Sequence, residues 1–259
     1  MYSSPRKLTT YLPTLCNRSI SSESLFSYSS GRFLYNVQAR LRERYVTFDI
    51  SAFAKAVAKH VGHRCVESIV KLREGGFNRV LLATMEDAFR AIIKIPYWIS
   101  VPKTYATASE VATLAFLRSK KIPVPEVYGW SSATDNPVGV EYIIMEHVVG
   151  VGADTRWFNN TKHQKHALVT GIVDIEKKLF SIPFGAIGSL YFRTDLPPQL
   201  QAPLYAVGTP DEAGDSQNYC IGPTADYMFW YGQRAKLDLD RGPCKLAISL
   251  KYFNGRSSS

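Results

Sequence analysis

Short runs of Val, Ile and Leu between residues 66 and 148 alternate with turn residues, and a single helical pattern interrupts them. These runs predict strands at Val66–Leu72, Phe77–Thr84, Phe89–Ile95, Val127–Trp130 and Val140–Val148. Between the third and fourth strands, a helix is predicted from about Thr107 to Lys120, and Pro123 and Pro125 terminate it. The order β-β-β-α-β-β restricts this part of the chain to an antiparallel sheet with one embedded helix.

Two further helical patterns flank this region. A helix is predicted at Ile50–Val61, because apolar residues recur there every four positions and Gly62 follows them. A second is predicted at about Lys162–Phe180, with an apolar side formed by Leu168, Ile172, Ile175 and Leu179 and a capping box at Thr161 and Gln164. Beyond Pro183 the sequence is rich in turn residues. The predicted fold class is therefore α+β, an antiparallel sheet followed by the opening of a helical lobe.

The charge of the chain is concentrated near its N-terminus. Of the formal net charge of +9, residues 1–48 contribute +5, since they hold seven Lys or Arg and two Glu. A nucleic-acid-binding face would concentrate Lys and Arg within the folded domain, and the signs are mixed there, so no nucleic-acid partner is predicted. No apolar run approaches the roughly 18 residues of a membrane helix, so no transmembrane segment is predicted either.

The first 22 residues contain no acidic residue, three basic residues and many Ser and Thr. This composition is typical of a mitochondrial transit peptide, and Leu8, Tyr11, Leu12 and Leu15 could form its apolar stripe. The alternative is a disordered basic tail, because Pro5 and Pro13 would interrupt a helix. The sequence favours targeting to mitochondria.

The four cysteines are too far apart to form a local metal site or a disulfide scaffold. One cluster, His60-x-x-His63-x-Cys65, has metal-ligating residue types but no second ligand pair downstream. Gly62 indicates a helix end there, where histidines complement the helix dipole. No metal site is predicted.

Four features in order predict a nucleotide pocket. Gly75 and Gly76 join two strands, where backbone N–H groups could curl toward a phosphate, although Gly-Gly also makes ordinary hairpins. Lys94 lies on the opposite face of its strand from Ala91, Ile93 and Ile95, so it faces either the cleft or solvent. Sixteen residues later, Glu110 could pair with Lys94 or simply cap its helix with Thr107. The strand that ends near Val148 could present its backbone to an adenine edge or be a core strand.

Several segments carry a family resemblance. Residues 74–80, 108–114, 122–129 and 142–146 (Glu-Gly-Gly-Phe-Asn-Arg-Val, Ala-Ser-Glu-Val-Ala-Thr-Leu, Ile-Pro-Val-Pro-Glu-Val-Tyr-Gly and Tyr-Ile-Ile-Met-Glu) resemble aminoglycoside phosphotransferases, which are choline-kinase-like. Residues 29–36, 135–139, 178–184 and 221–223 resemble a narrower branch, the fungal altered inheritance of mitochondria protein 9 group. The resemblance runs from about Tyr28 to Pro243 and implies a protein-kinase-like fold and a mitochondrial transferase.

The resemblance also implies roles for individual residues. The phosphates of ATP would be covered by Gly75, Gly76, Phe77 and Asn78. Lys94 would bind the α- and β-phosphates, and Glu110 would pair with Lys94. Met145 would pack against the adenine, and the backbones of Glu146 and Val148 would form hydrogen bonds with its edge. Relatives in the narrower branch often have arginine at the position of Lys94. Full-length relatives would add Mg²⁺ and a small-molecule acceptor that the sequence does not identify.

A catalytic loop of the form His-x-Asp-x-x-x-x-Asn is missing from the 259 residues. Asp154 and Asn159 have part of this spacing, but they follow the last sheet strand too closely and Gly152 replaces the histidine. The expected division is a leader or disordered segment (1–27), an arm and helix (28–65), a nucleotide-binding lobe (66–150), a partial, incomplete helical lobe (151–243) and an aberrant tail (244–259). The chain is therefore predicted to be a truncated phosphotransferase that binds nucleotide and has no catalytic residues of its own. The alternative is a non-catalytic pseudokinase or interaction module.

Overall fold

The computed structural model describes residues 22–62 and 65–245. The helices there are α1 (Ser22–Phe26), α2 (Val37–Arg44), α3 (Ile50–Val61), α4 (Tyr105–Ser119), α5 (Ala153–Trp157), α6 (Lys162–Phe180) and α7 (Asp215–Asn218). The strands are β1 (Val66–Glu74), β2 (Asn78–Met85), β3 (Arg90–Pro96), β4 (Val127–Ser131), β5 (Tyr142–Glu146), β6 (Ala186–Ile187), β7 (Ser189–Phe192), β8 (Tyr219–Gly222) and β9 (Cys244–Lys245). Four short 3-10 helices complete these elements, at 193–195, 198–200, 227–229 and 232–236. Most of the predicted leader and of the predicted tail lies outside the described residues.

The first five strands form one antiparallel sheet in the order β1-β2-β3-β5-β4. All five are strands that the sequence predicts, with ends that differ by at most two residues, and β5 differs by two residues at both ends. That strand is shorter than predicted, because the side chain of Asn136 holds the backbone of Val138 and Val140 in a turn, and Val148 is exposed beyond the strand end. The predicted antiparallel sheet with helices is confirmed.

Helix α3 covers one face of this sheet. Asp49 accepts a hydrogen bond from the N–H of Ala52 (2.8 Å) at its start, and Gly62 ends it at a φ of 75°, which favours glycine. Phe53 and Val57 are fully buried against residues such as Ile69 and Ile93 of the sheet. These contacts place the main core between α3 and the sheet.

The histidine cluster at the end of α3 has no metal-binding arrangement in the part of the chain that the structure describes, where no three His, Cys, Asp or Glu groups come together. His63 lies outside the described residues. His60 packs edge-on against Tyr142 and lies directly over Gly129, where any Cβ would clash with its ring. Burial, together with the neighbouring Lys59, lowers the pKa of His60. His60 is thus a packing residue.

Helix α4 lies on the other side of the sheet and begins at Tyr105, two residues before the predicted start. Thr107 therefore lies inside the first turn and is not its cap. Its hydroxyl donates to buried Glu141 (2.6 Å), which also accepts from the N–H of Thr104 (3.3 Å). The alternative in which Thr107 and Glu110 form a capping box is wrong, so the side chain of Glu110 is free for another partner.

The second half of the chain contains two small sheets, β6-β9 and β7-β8, where the sequence shows only turn residues. Helix α6 has the predicted bounds and the predicted capping box between Thr161 and Gln164. No residue of α6 is buried, and apolar side chains such as Val169, Ile172 and Leu179 are exposed. The described residues therefore do not cover the apolar side that the sequence predicts for this helix. No helix among those described is long and apolar enough to cross a membrane.

The arm before α3 is held to the sheet by one buried arginine. The guanidinium of Arg79 on β2 donates to the backbone carbonyls of Leu25, Phe26, Ser27 and Arg44 at distances of 2.5–3.1 Å. Leu25 itself is 2 % exposed. Residues 22–27, grouped with the leader in the sequence-based division, therefore pack into the folded domain.

The carboxylate of Glu74 gives this arm a predicted pH dependence. Burial pushes the pKa of Glu74 up, but hydrogen bonds from the N–H of Ser29 (2.8 Å) and from Lys71 (3.1 Å) outweigh it and hold the pKa below its ordinary value of 4.5. Because folding lowers the pKa of Glu74, its carboxylate stabilises the folded state above pH 4.5. This stabilisation is lost as the pH falls through the lowered pKa.

Urea unfolding of the wild type and of Glu74→Gln is therefore expected to differ most above about pH 5, and the difference should shrink as the pH falls through the lowered pKa of Glu74. Glu67→Gln, at an exposed position of the same strand, is the matched control and should show no such convergence. A stability difference that is constant from neutral to acidic pH would contradict this role of Glu74.

Candidate nucleotide site

A cavity of ≈ 200 Å³ lies between the glycine turn, β3 and α4. Of the predicted site residues, Phe77, Asn78, Lys94 and Glu110 line it. Those four come from the turn, two strands and a helix, so the sheet and α4 together build the cavity.

Lys94 is positioned by the alternation of strand β3. Ala91, Ile93 and Ile95 are fully buried in the core on one face, and Lys94 projects from the opposite face toward α4. Its Nζ lies 2.5 Å from both carboxylate oxygens of Glu110. The side chains are 23% and 37% exposed, so the pair lies in a partly open cleft. The predicted pairing is present, and the solvent-facing alternative for Lys94 is wrong.

Several contacts fix the glycine turn above this pair. The N–H of Gly75 donates to the carbonyl of Asn78 (2.8 Å), and the carbonyl of Phe77 accepts from the N–H of Tyr97 (2.9 Å) and from the hydroxyl of Ser100. Neither Gly75 nor Gly76 has a left-handed φ, and a Cβ on Gly76 would meet no atom within 4 Å. The turn is therefore a hairpin fixed by hydrogen bonds, with open space at Gly76. The arrangement of backbone N–H groups around an anion that Gly-Gly could form is not present in advance.

The predicted adenine residues do not line this cavity. The side chain of Met145 is buried in a cluster with Val111 and Ile143, so it has the core role that the sequence left open. The N–H of Glu146 already donates to the carbonyl of Glu126 (2.8 Å), and Val148 is 59% exposed. Of the residues predicted on the phosphate side, Phe77, Asn78, Lys94 and Glu110 line the cavity, whereas Gly75, Gly76 and the residues predicted on the adenine side do not.

Buried Glu141 positions the helix that carries Glu110. It ties the start of α4 to β5 through Thr104 and Thr107. Nearby, burial lowers the pKa of Lys103, and the charge of Glu141 partly opposes this shift. Because α4 is anchored at its first turn, Glu110 in the second turn is held at a fixed distance from β3.

Two cavity residues, Ala225 and Tyr227, come from a segment in which the sequence suggests no function. The ring of Tyr227 contacts the ring of Phe77 at a centroid distance of 4.8 Å. The only sequence signal was the density of aromatic residues from Tyr227 to Tyr231. Asp154 and Asn159, in contrast, are exposed at and just after α5 and do not line the cavity.

Comparison with known proteins identifies fungal relatives. The chain is 41% identical over 180 residues to a subtelomeric hrmA-associated cluster protein of Aspergillus fumigatus, which covers 69% of this chain and 33% of that protein. It is 27% identical over 245 residues to altered inheritance of mitochondria protein 9, mitochondrial, of Yarrowia lipolytica (87% of this chain, 42% of that protein). The protein of the same name from Candida tropicalis is 32% identical over 174 residues (63% and 28%).

The chain thus spans between about a quarter and two fifths of the length of these relatives. No family model matches the chain, and no solved structure matches it. Several relatives are named as mitochondrial proteins, which confirms the mitochondrial location predicted from the composition of the first residues.

Proposed function

We propose that residues 66–150 form the nucleotide-binding lobe of a kinase-like mitochondrial protein related to aminoglycoside phosphotransferases, and that this lobe binds ATP. The observation that carries the proposal is the pair between Lys94 and Glu110, at 2.5 Å, inside a cavity beneath the glycine turn. In kinase-type sites a strand lysine paired with a helix glutamate holds the nucleotide phosphates.

The surrounding architecture supports this proposal. The glycine turn, the lysine strand and the glutamate helix follow each other in the kinase order, and the turn lies above the ion pair. An ammonium group has three donors, so Lys94 can bond Glu110 and still donate to a phosphate oxygen. Asn78 adds a polar side chain to the same wall. Residues 151–243 would be the beginning of the second lobe.

The residues present fit the phosphates better than they fit the metal ion. ATP bound here would bring phosphate oxygens to Lys94, and the open space at Gly76 leaves room for their approach. Mg²⁺ in nucleotide sites is held by one or two carboxylates together with water and phosphate oxygens, and the carboxylate in the lining of this cavity, Glu110, is paired with Lys94. A magnesium site is therefore assigned to none of these residues.

The chain itself is expected to bind ATP without transferring its phosphate. The 259 residues contain no His-x-Asp-x-x-x-x-Asn loop, and the positioning and charge neutralisation that such a loop provides contribute much of phosphoryl-transfer catalysis. Isothermal titration with ATP and Mg²⁺ should give saturable binding of about millimolar affinity or tighter. The same protein, incubated with radiolabelled ATP and a panel of small alcohols, should release no labelled product.

Absence of saturable ATP binding would overturn the proposed function. Transfer of label to an alcohol would show instead that residues outside the kinase-like pattern supply catalysis. In full-length relatives the acceptor would be a small molecule that neither the sequence nor the structure identifies.

A second candidate is an interaction module in which the cavity is vestigial. The observation that favours it is helix α6, where the apolar side chains of Ile172, Val173 and Leu179 are each more than a third exposed. Exposed apolar surface of this kind is typical of sites that bind other proteins. If Lys94→Ala leaves both ATP affinity and the biological activity unchanged, this candidate replaces the first.

A further inference from the structure

Residues 224–241 contribute Ala225 and Tyr227 to the wall of the cavity, and we call this segment the aromatic strap. Tyr227 of the strap packs on Phe77 of the glycine turn (4.8 Å between ring centroids) and on Tyr231 within the strap (4.8 Å, stacked). Trp230 packs against Tyr105 at the start of α4 (5.9 Å). The strap therefore bridges the two elements that frame the cavity.

The strap is tied internally by Arg241. Its guanidinium donates to the carbonyls of Phe229 (3.2 Å) and Arg234 (2.6 Å) and lies 4.4 Å from the centroid of the Trp230 ring. At the base, the N–H of Thr224 donates to the carbonyl of Arg241 (2.7 Å). These bonds join both ends and the middle of the segment, so the strap can move as one unit.

Attachment of the strap to the cavity wall is weaker than its internal bonding. The contacts with Phe77 and Tyr105 are between rings, and Arg40 donates to the hydroxyl of Tyr231 at the surface. One backbone group also holds the strap, because the N–H of Ala225 donates to the hydroxyl of Ser189 on β7 (2.8 Å). Next to Arg241, Gly242 has a φ of 83°, in the region that favours glycine. Breaking these few contacts would release the strap while its internal bonds stay intact.

The size of the cavity gives the strap a function. Sites for small molecules and cofactors are about 300–1,000 Å³, and the cavity that Tyr227 bounds on one side is ≈ 200 Å³. With the strap in this position, the cavity is therefore smaller than a nucleotide site usually is. Because Ala225 and Tyr227 form one wall, displacement of the strap enlarges the cavity directly.

We propose that the aromatic strap is a gate and that Tyr227 is the specificity-determining residue that excludes nucleotide-sized ligands until the strap opens. This inference rests on the proposed function, because ATP is the ligand whose entry the gate controls. When only a fraction of molecules is open, the apparent affinity is reduced by that fraction. Removal of the Tyr227 ring should therefore speed entry and strengthen binding.

Stopped-flow association of a fluorescent ATP analogue with the 259-residue chain tests the gate. Tyr227→Ala is expected to raise the observed association rate constant by about tenfold or more, with a matching gain in apparent affinity. Phe158→Ala is the matched control: this ring is 88% exposed and lies outside the cavity. Its association rate should equal that of the wild type.

Hydrogen exchange supplies a second readout that needs no nucleotide. In Tyr227→Ala the amide of Ala225, which bonds the strap to Ser189 on β7 (2.8 Å), should exchange faster, while those of the five-stranded sheet keep their wild-type rates. A variant that fails to fold would lose protection in the sheet as well; in that case Tyr227→Leu, which keeps apolar bulk but removes the ring pairs, serves as the test variant.

The outcomes separate the gate from the proposed function. ATP binding with unchanged association rates in a folded Tyr227 variant overturns the gate and leaves the function standing. Binding by the variant but not by the wild type supports a gate that is closed most of the time. No binding by either protein overturns the proposed function and the gate with it.

Discussion

Replacing Lys94 with alanine is expected to weaken ATP binding by about 10- to 100-fold, because a hydrogen bond to a charged group contributes roughly 1.5–3 kcal/mol. Among the predicted site residues that line the cavity, Lys94 carries the positive charge. Its ammonium nitrogen lies 2.5 Å from the carboxylate of Glu110. Removing it leaves the carboxylate of Glu110 facing the phosphates, which adds repulsion. The change should be measured by isothermal titration with ATP.

Two further variants separate this effect from a general loss of structure. Glu110→Gln keeps Lys94 but weakens its positioning, so it should reduce affinity less than Lys94→Ala. Lys55→Ala removes an exposed positive charge from α3, on the far side of the sheet, and should leave the affinity unchanged. Equal ATP affinity in Lys94→Ala and the wild type, with both proteins folded, would count against phosphate binding at this site.

Replacing Arg79 with methionine is expected to lower the free energy of unfolding by about 3–5 kcal/mol, the typical cost of breaking a buried charged network. Arg79 is fully buried, and its guanidinium bonds the carbonyls of Leu25, Phe26, Ser27 and Arg44. Methionine fills similar volume but removes the hydrogen bonds of the guanidinium to these carbonyls and the positive charge whose Nε lies 3.5 Å from the carboxylate of Glu74.

For a chain of this size that loss corresponds to a decrease in melting temperature of roughly 10 °C or more. Arg73→Met, at an exposed position of the neighbouring strand, is the control and should melt close to the wild type. Because Arg79 holds residues 25–27, hydrogen exchange in α1 should rise in Arg79→Met even below the melting transition. A variant with wild-type melting and a protected α1 would show that the arm is held by its apolar contacts alone.

Local periodicity explains which parts of the fold were predictable. The alternation in β3 was sufficient to place Lys94 on the face opposite Ala91, Ile93 and Ile95, because side chains of a strand point to opposite sides at every step. The bounds of α3 and α6 agree with the prediction, since a cap residue and a following glycine or a capping box mark their ends.

The site was less predictable where a residue had two possible partners. Glu110 could cap its helix or bond Lys94, and the choice depended on a helix start only two residues earlier, which Glu141 stabilises through Thr107. Met145 could face an adenine or the core, and packing against Val111 and Ile143 placed it in the core. In each case a long-range contact decided between local alternatives.

The amino-acid sequence by itself determined the strand and helix order between residues 50 and 146, the inward and outward faces of β3, and the spacing that makes a pair between Lys94 and Glu110 possible. These follow from period and capping, which act over a few residues. Only the tertiary structure placed Arg79 under the N-terminal arm and Tyr227 against Phe77, across 54 and 150 positions of the chain respectively. Contacts between such distant residues leave no periodic trace, because they are selected by the packing of whole elements.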